Sequence, residues 1–212
     1  PVVRNLPRDE DTVLVMGAGV IGLCVIAALR ACGSRARVIV AAKYPFQAAM
    51  ARKLGADEVI EREKGDLYDF IARATGGKLY RPLLGKRVLV GGVDLAYECV
   101  GSDGSIDDSL RLARSGGTVV LVGLAATPKG VDWTPIWLKE LTVRGSYWCS
   151  METIRGRRVR AYQQTLEWMA EGKLELGPLV THRFRLEDYN KALATTIHRG
   201  RYGVIKSVFT FD

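Results

Sequence analysis

The stretch at residues 12–32, "TVLVMGAGVIGLCVIAALRAC", constrains this chain more than any other. A short apolar run ends in Gly17, Ala18 and Gly19, and an apolar helical pattern opens at Val20 with Gly22 in its first turn. A strand that turns through glycines straight into a helix leaves the first helical amides unpaired. Those amides and the helix dipole then attract an anion. Gly17 permits the tight turn, Gly19 has no Cβ to hold a pyrophosphate off the backbone, and Gly22 lets the helix lie close on its sheet. Glycines at this spacing are weak evidence alone. Between an apolar strand and a helix they predict that Gly17, Gly19, Val20, Ile21 and Gly22 bind a dinucleotide.

The rest of the chain repeats the strand–helix pattern. Strands are expected at 12–16, 37–42, 58–61, 93–98, 118–122 and 141–145, with helices at 20–31, 46–54, 66–74 and 106–114. Short apolar strands alternating with helices predict a parallel sheet buried on both faces, and six of them suit an α/β doubly wound sheet. Asp107 and Asp108 are expected in the positive first turn of the fourth helix, and Gly116-Gly117 at its stop. Further on, helices are expected at 159–171 and 186–197, and an alternating strand at 202–211 that has no partner in the six-stranded sheet. Residues 78–92, "KLYRPLLGKRVLVGG", break the pattern. They are expected to form a loop or β-ribbon inserted before the fourth strand.

Composition excludes several classes. No apolar run approaches the roughly 20 residues of a membrane span, and the N-terminus lacks the basic and apolar regions of a secretion signal. Cys24, Cys32, Cys99 and Cys149 are scattered, without a C-x-x-C pair, and read as reduced thiols of a cytoplasmic protein. The net charge of +8 raises nucleic acid as a partner. The basic residues are dispersed, however. The tightest group, Arg155, Arg157, Arg158 and Arg160, falls at an expected helix start with no nucleic-acid motif around it. The reading is therefore no nucleic acid and no membrane.

The second strand should end in an acid about 20 residues beyond the glycines, to accept hydrogen bonds from the adenosine ribose. "VIVAAKYPF" has Ala42 there, followed by Lys43. Loss of the carboxylate removes the charge that repels a 2′-phosphate, and a lysine attracts one. The cofactor is read as NADP or NAD, with NADP favoured.

In the order and spacing of "DTVLVMGAGVIG", "ARKLGADEVI", "VDLAYECVG", "GGTVVLVG", "ELTVRGSYW" and "PLVTHRFRLEDYNKAL", the chain resembles the medium-chain alcohol dehydrogenase family. The "GAGVIG" form is similar to its zinc-dependent branch. The resemblance implies that Ala42 and Lys43 face the adenosine ribose and that Val100, Gly101 and Ser102 line the adenine and ribose crevice. It places Val122, Gly123, Leu124, Ser146 and Tyr147 at the nicotinamide end. Gln47 stands where a basic residue commonly flanks the ribose, a departure like that at Ala42.

The resemblance also implies that zinc ligands and a proton relay come from an N-terminal catalytic domain, so no catalytic or metal-binding residue is expected here. His182 and His198 are the only histidines, and both read as packed or surface side chains. Residues 1–178 are expected to form the dinucleotide-binding domain, and 179–212 a C-terminal segment of the catalytic domain. The whole enzyme would pass hydride between an alcohol or carbonyl substrate and nicotinamide, and this chain alone would be inactive. A stand-alone dinucleotide sensor and a zinc-independent NADPH reductase are the alternatives. The edge strand at 141–145 is expected to pair with its twofold copy in a homodimer.

Overall fold

The structure, a computed structural model, describes residues 1–83, 85–147, 151–154 and 156–211. Cys149, Arg155 and Trp148, which the sequence reading touches, lie outside the described residues.

The first half winds β1 (Thr12–Met16), α1 (Val20–Ala31), β2 (Arg37–Ala42), α2 (Pro45–Lys53), β3 (Glu58–Glu61) and α3 (Leu67–Thr75). A ribbon of β4 (Lys78–Tyr80) and β5 (Val88–Val90) follows. The second half runs through β6 (Val93–Glu98), α4 (Asp103–Leu112), β7 (Ala113–Leu121), α5 (Thr134–Leu138) and β8 (Thr142–Gly145). Six of these strands form one parallel sheet in the order β3-β2-β1-β6-β7-β8. The order reverses between β1 and β6, the place where doubly wound sheets open a crevice at their carboxyl ends.

Alternation along β1 explains its unbroken apolar run. Val13 and Val15 face the cluster under α1 and α2, while Leu14 and Met16 face the cluster under α3 and α4. A central parallel strand has no wet face, so every position from Val13 to Met16 is apolar.

After β8 come an antiparallel pair, β9 (Met151–Ile154) and β10 (Arg157–Arg160), and α6 (Ala161–Ala170). The chain closes with β11 (Val180–Arg185), α7 (Tyr189–Ile197), the short α8 (Arg199–Tyr202) and β12 (Lys206–Thr210). β12 finds its parallel partner in β11, a strand that the sequence reading did not assign. Leu179 packs in the α1–α2 cluster and Leu176 and Ile205 pack against it, which seats this segment on that face of the sheet.

Three expectations need correction. The fourth helix starts at Asp103, because Ser102 and Ser105 form a capping box. Asp107 and Asp108 therefore lie beyond the first turn, where Asp107 is buried and takes ion pairs from Lys86 and Arg111. Burial alone would raise its carboxyl; hydrogen bonds from Lys86, the Asp132 amide and Arg111 hold it below the usual range instead. Gly116 and Gly117 lie within β7 rather than at a helix stop. The helix end at Leu112 is closed differently: buried Lys139 donates to the carbonyls of Arg111 and Ala113 at 2.6 and 2.7 Å. Arg157, Arg158 and Arg160 are strand residues of β10, and the helix begins only at Ala161.

The β4–β5 ribbon is docked through two of its described basic residues. Lys86 reaches Asp107 at 2.7 Å, and Arg87 bonds Asp66 at 2.8 Å while lying 4.4 Å over the Tyr68 ring.

Candidate dinucleotide-binding crevice

The turn leaving β1 is built by three glycines with three different neighbourhoods. Gly17 has φ +96°, and a Cβ there would fall 2.4 Å from Val100 Cγ2. At Gly22 a Cβ would fall 1.9 Å from the carbonyl oxygen of Gly17, so α1 rests directly on the turn. Gly19 is different. It caps α1 in an extended conformation, and an added Cβ would meet nothing within 4 Å. No side chain caps the α1 amides, and its first turn holds no acid. Unpaired donors facing open space fit an anionic group such as a pyrophosphate.

At the end of β2, the Ala42 methyl is fully buried in the α1–α2 cluster, so it does not face the crevice. Lys43 is exposed, its ammonium 5.3 Å from the centre of the Tyr44 ring. Gln47 is buried.

The loops after β6 and β7 touch backbone to backbone. A Cβ on Gly123 would lie 2.3 Å from the Gly101 nitrogen, and one on Gly101 would lie 2.7 Å from the Leu124 carbonyl. Between them sits Glu98, fully buried at the end of β6, which the sequence reading missed. Its Oε1 accepts the amides of Val100 and Gly101 at 2.8 and 2.9 Å. Its carbonyl accepts those of Val122 and Gly123, both at 2.8 Å. Its Oε2 has no hydrogen-bond partner and faces Gly123, where a Cβ would come within 2.6 Å. The available signal was an acid closing the apolar run "LAYECVG". The Ser102 hydroxyl is engaged with Ser105 at 2.8 Å as part of the α4 cap.

Apolar side chains are left exposed around this crevice. Ile21 is 47% exposed, Val100 51% and Leu124 87%. Ile21, Val122, Leu124, Ser146 and Tyr147 share one wall-lined cleft of about 680 Å³ with Trp168 of α6. Cys24 also lines it, and burial pushes its thiol up. Cys99 is pushed up more strongly, by burial and then by the charge of Glu98. His182 lies half-buried on β11 beside Thr181, and His198 ends α7. Among the described residues, no group of three or more His, Cys, Asp and Glu side chains could hold a metal ion. Among the described residues, no helix is long and apolar enough to cross a membrane.

A parallel sheet with a glycine turn at its switch point defines a nucleotide-binding α/β fold of the Rossmann type. The sequence model of the zinc-binding dehydrogenases matches residues 20–171, and the chain belongs to that family. L-idonate 5-dehydrogenase of Vitis vinifera is 31% identical over 204 residues, which are 94% of this chain and 50% of that protein. The solved structure of 2R,3R-butanediol dehydrogenase from Bacillus subtilis is 26% identical with a TM-score of 0.74, over 100% of this chain and 54% of its own. A Sinorhizobium meliloti 1021 structure described as a zinc-binding dehydrogenase bound to NADP is 25% identical, with a TM-score of 0.73, over 96% and 53%. The chain spans about half the length of the curated relatives it matches.

Proposed function

We propose that this chain is the dinucleotide-binding half of an NAD(P)-dependent alcohol or polyol dehydrogenase, with NADP favoured over NAD. The observation that carries this reading is the open space at Gly19 in front of the uncapped amides of α1. Gly17, Gly19, Val20, Ile21 and Gly22 hold the pyrophosphate. Lys43 faces the ribose and its 2′-phosphate. Val100 and Gly101, with Ser102 through its backbone, border the adenosine, and Val122, Gly123, Leu124, Ser146 and Tyr147 border the nicotinamide. Residues 1–178 form this domain, and 179–212 belong to the catalytic half. When bound, nicotinamide supplies the hydride acceptor, and in the whole enzyme zinc supplies the Lewis acid. This chain's own part is to bind and orient, with apolar walls at Ile21 and Leu124 that exclude water once the cleft is covered. The groups that act on the alcohol come from outside it.

Fluorescence titration tests the cofactor reading. NADPH should bind more tightly than NADH, and Lys43→Glu should weaken NADPH by about 10- to 100-fold, the effect of reversing one phosphate contact, with little change for NADH. Equal or tighter NADH binding would remove the NADP preference, and failure of both ligands would remove the whole reading.

The same reading includes a homodimer. β8 pairs with β7 on one side only and ends the sheet. Its free edge offers an unpaired row of backbone donors and acceptors to a twofold copy. Light scattering should find a dimer, and Val143→Pro, which deletes a ladder donor, should give monomer. A wild-type monomer at high concentration would overturn this assignment.

A further inference from the structure

The C-terminal segment reaches the adenosine end of the crevice and brings charge that the end of β2 lacks. Gly200 of α8 packs on Tyr44: a Cβ built there would lie 2.6 Å from Cε1 and Cζ and 2.8 Å from Oη. Only a residue without a Cβ lets α8 rest on that ring. The ammonium of Lys43 lies 5.3 Å from the centre of the same ring. One tyrosine therefore borders both the lysine and the α8 backbone.

The residues on either side of Gly200 are Arg199 and Arg201, both exposed. Among the described residues, neither arginine nor Lys43 makes an ion pair. By contrast Arg30, Arg37, Arg62, Arg87, Arg111 and Arg114 each hold a carboxylate. Leu179 and Ile205, packed on the α1–α2 cluster, anchor the segment on that side. Three cations without a carboxylate partner are thus carried by residues next to this contact: Lys43, adjacent to Tyr44, and Arg199 and Arg201 on either side of Gly200, with the Arg201 guanidinium 5.5 Å from the centre of the Tyr202 ring. No acid balances them, since Ala42 and Gln47 supply none.

We propose that Arg199 and Arg201, together with Lys43, form the receptor for the 2′-phosphate of the NADP adenosine. The C-terminal segment then shares with β2 the choice between NADP and NAD. This rests on the reading of the crevice as an NADP site. A phosphate monoester presents three acceptor oxygens and close to two negative charges, which suits guanidinium forks beside an ammonium. An unmodified ribose offers the three cations no charge to bind, so the cluster favours NADP without penalising NAD.

Calorimetric titration with adenosine 2′,5′-bisphosphate and with 5′-AMP isolates the 2′-phosphate, the single group by which the two probes differ. The Arg199→Ala/Arg201→Ala double variant should bind the bisphosphate about 100-fold more weakly, about tenfold per charged hydrogen-bonding group, and 5′-AMP almost unchanged. Lysine at both positions should restore part of the loss. If the double variant keeps wild-type affinity while Lys43→Ala loses it, the arginine assignment falls and the NADP reading stands. If both probes weaken equally, the arginines serve a group common to both nucleotides, and the proposal is overturned. If the wild-type chain binds both probes alike, the NADP reading falls together with the proposal.

Discussion

Gly22→Ala is expected to destabilise the chain by about 3 kcal/mol, while Gly19→Ala leaves stability unchanged and removes dinucleotide binding. The two glycines lie three residues apart in one turn, but their surroundings are opposite. A methyl at Gly22 would sit 1.9 Å from the Gly17 carbonyl oxygen and 3.2 Å from Val15 Cγ1. The first obstacle is backbone, so relief requires α1 to lift from β1, and the α1–α2 cluster opens with it. For a chain of this size such a loss lowers the thermal midpoint by about 6–12 °C. Gly19 has φ −73°, which any residue adopts, and open space beyond it. A methyl there leaves the fold alone but occupies the path of an approaching phosphate. Calorimetric melting and NADPH titration of the two variants separate the effects. A Gly22→Ala protein with wild-type melting, or a Gly19→Ala protein with wild-type affinity, would overturn the assignment for that glycine.

Glu98→Ala is expected to cost about 2–5 kcal/mol, because it strips the acceptor from two amides whose loss costs about 1–3 kcal/mol each. Those amides, of Val100 and Gly101, begin the loop that touches Gly123 and Leu124. Gly101 holds φ +81°, so the loop depends on these bonds to stay in a left-handed turn. Some of the loss is offset, since the variant also removes a buried Oε2 that has no partner. Glu98→Gln keeps an acceptor at Oε1 and should retain most of the stability. Urea denaturation measures the cost, and hydrogen exchange at the amides of Val100 and Gly101 reports where it falls. An alanine variant as stable as wild type, with both amides still protected, would show that the carboxylate does not hold the turn.

Much of the fold was legible because it is written in local signals. The bounds of β1, α1, β2, β3 and β6 coincide with the residues expected from the apolar runs and glycine punctuation. β1, β2, β6 and α1 are mostly buried elements whose apolar pattern runs along their length, so periodicity defines them. β3, an edge strand with only Ile60 buried, is marked by the glycine and charged residues around it. The start of α4 was misplaced because two adjacent acids, Asp107 and Asp108, imitated a first turn. The true cap is the Ser102–Ser105 pair, with the N-cap Ser102 five residues before Asp107. Asp107 owes its place to Lys86 and Arg111, the first brought in by a ribbon 21 residues away in sequence. No local rule contains that contact.

The crevice divides in the same way. The glycine turn and the absence of an acid at Ala42 belong to the sequence, because glycine geometry and side-chain charge are properties of single positions. The family follows from sequence as well, through residues 20–171. What only the tertiary structure decided is which groups stand together at the two ends of the crevice. The carboxylate of Glu98 joins the loops after β6 and β7, and Gly200, between Arg199 and Arg201 in sequence, packs α8 on Tyr44. The physical reason is distance along the chain. About 155 residues separate Tyr44 from α8, and only packing of the C-terminal segment on the α1–α2 cluster, not any periodicity in either stretch, fixes their approach.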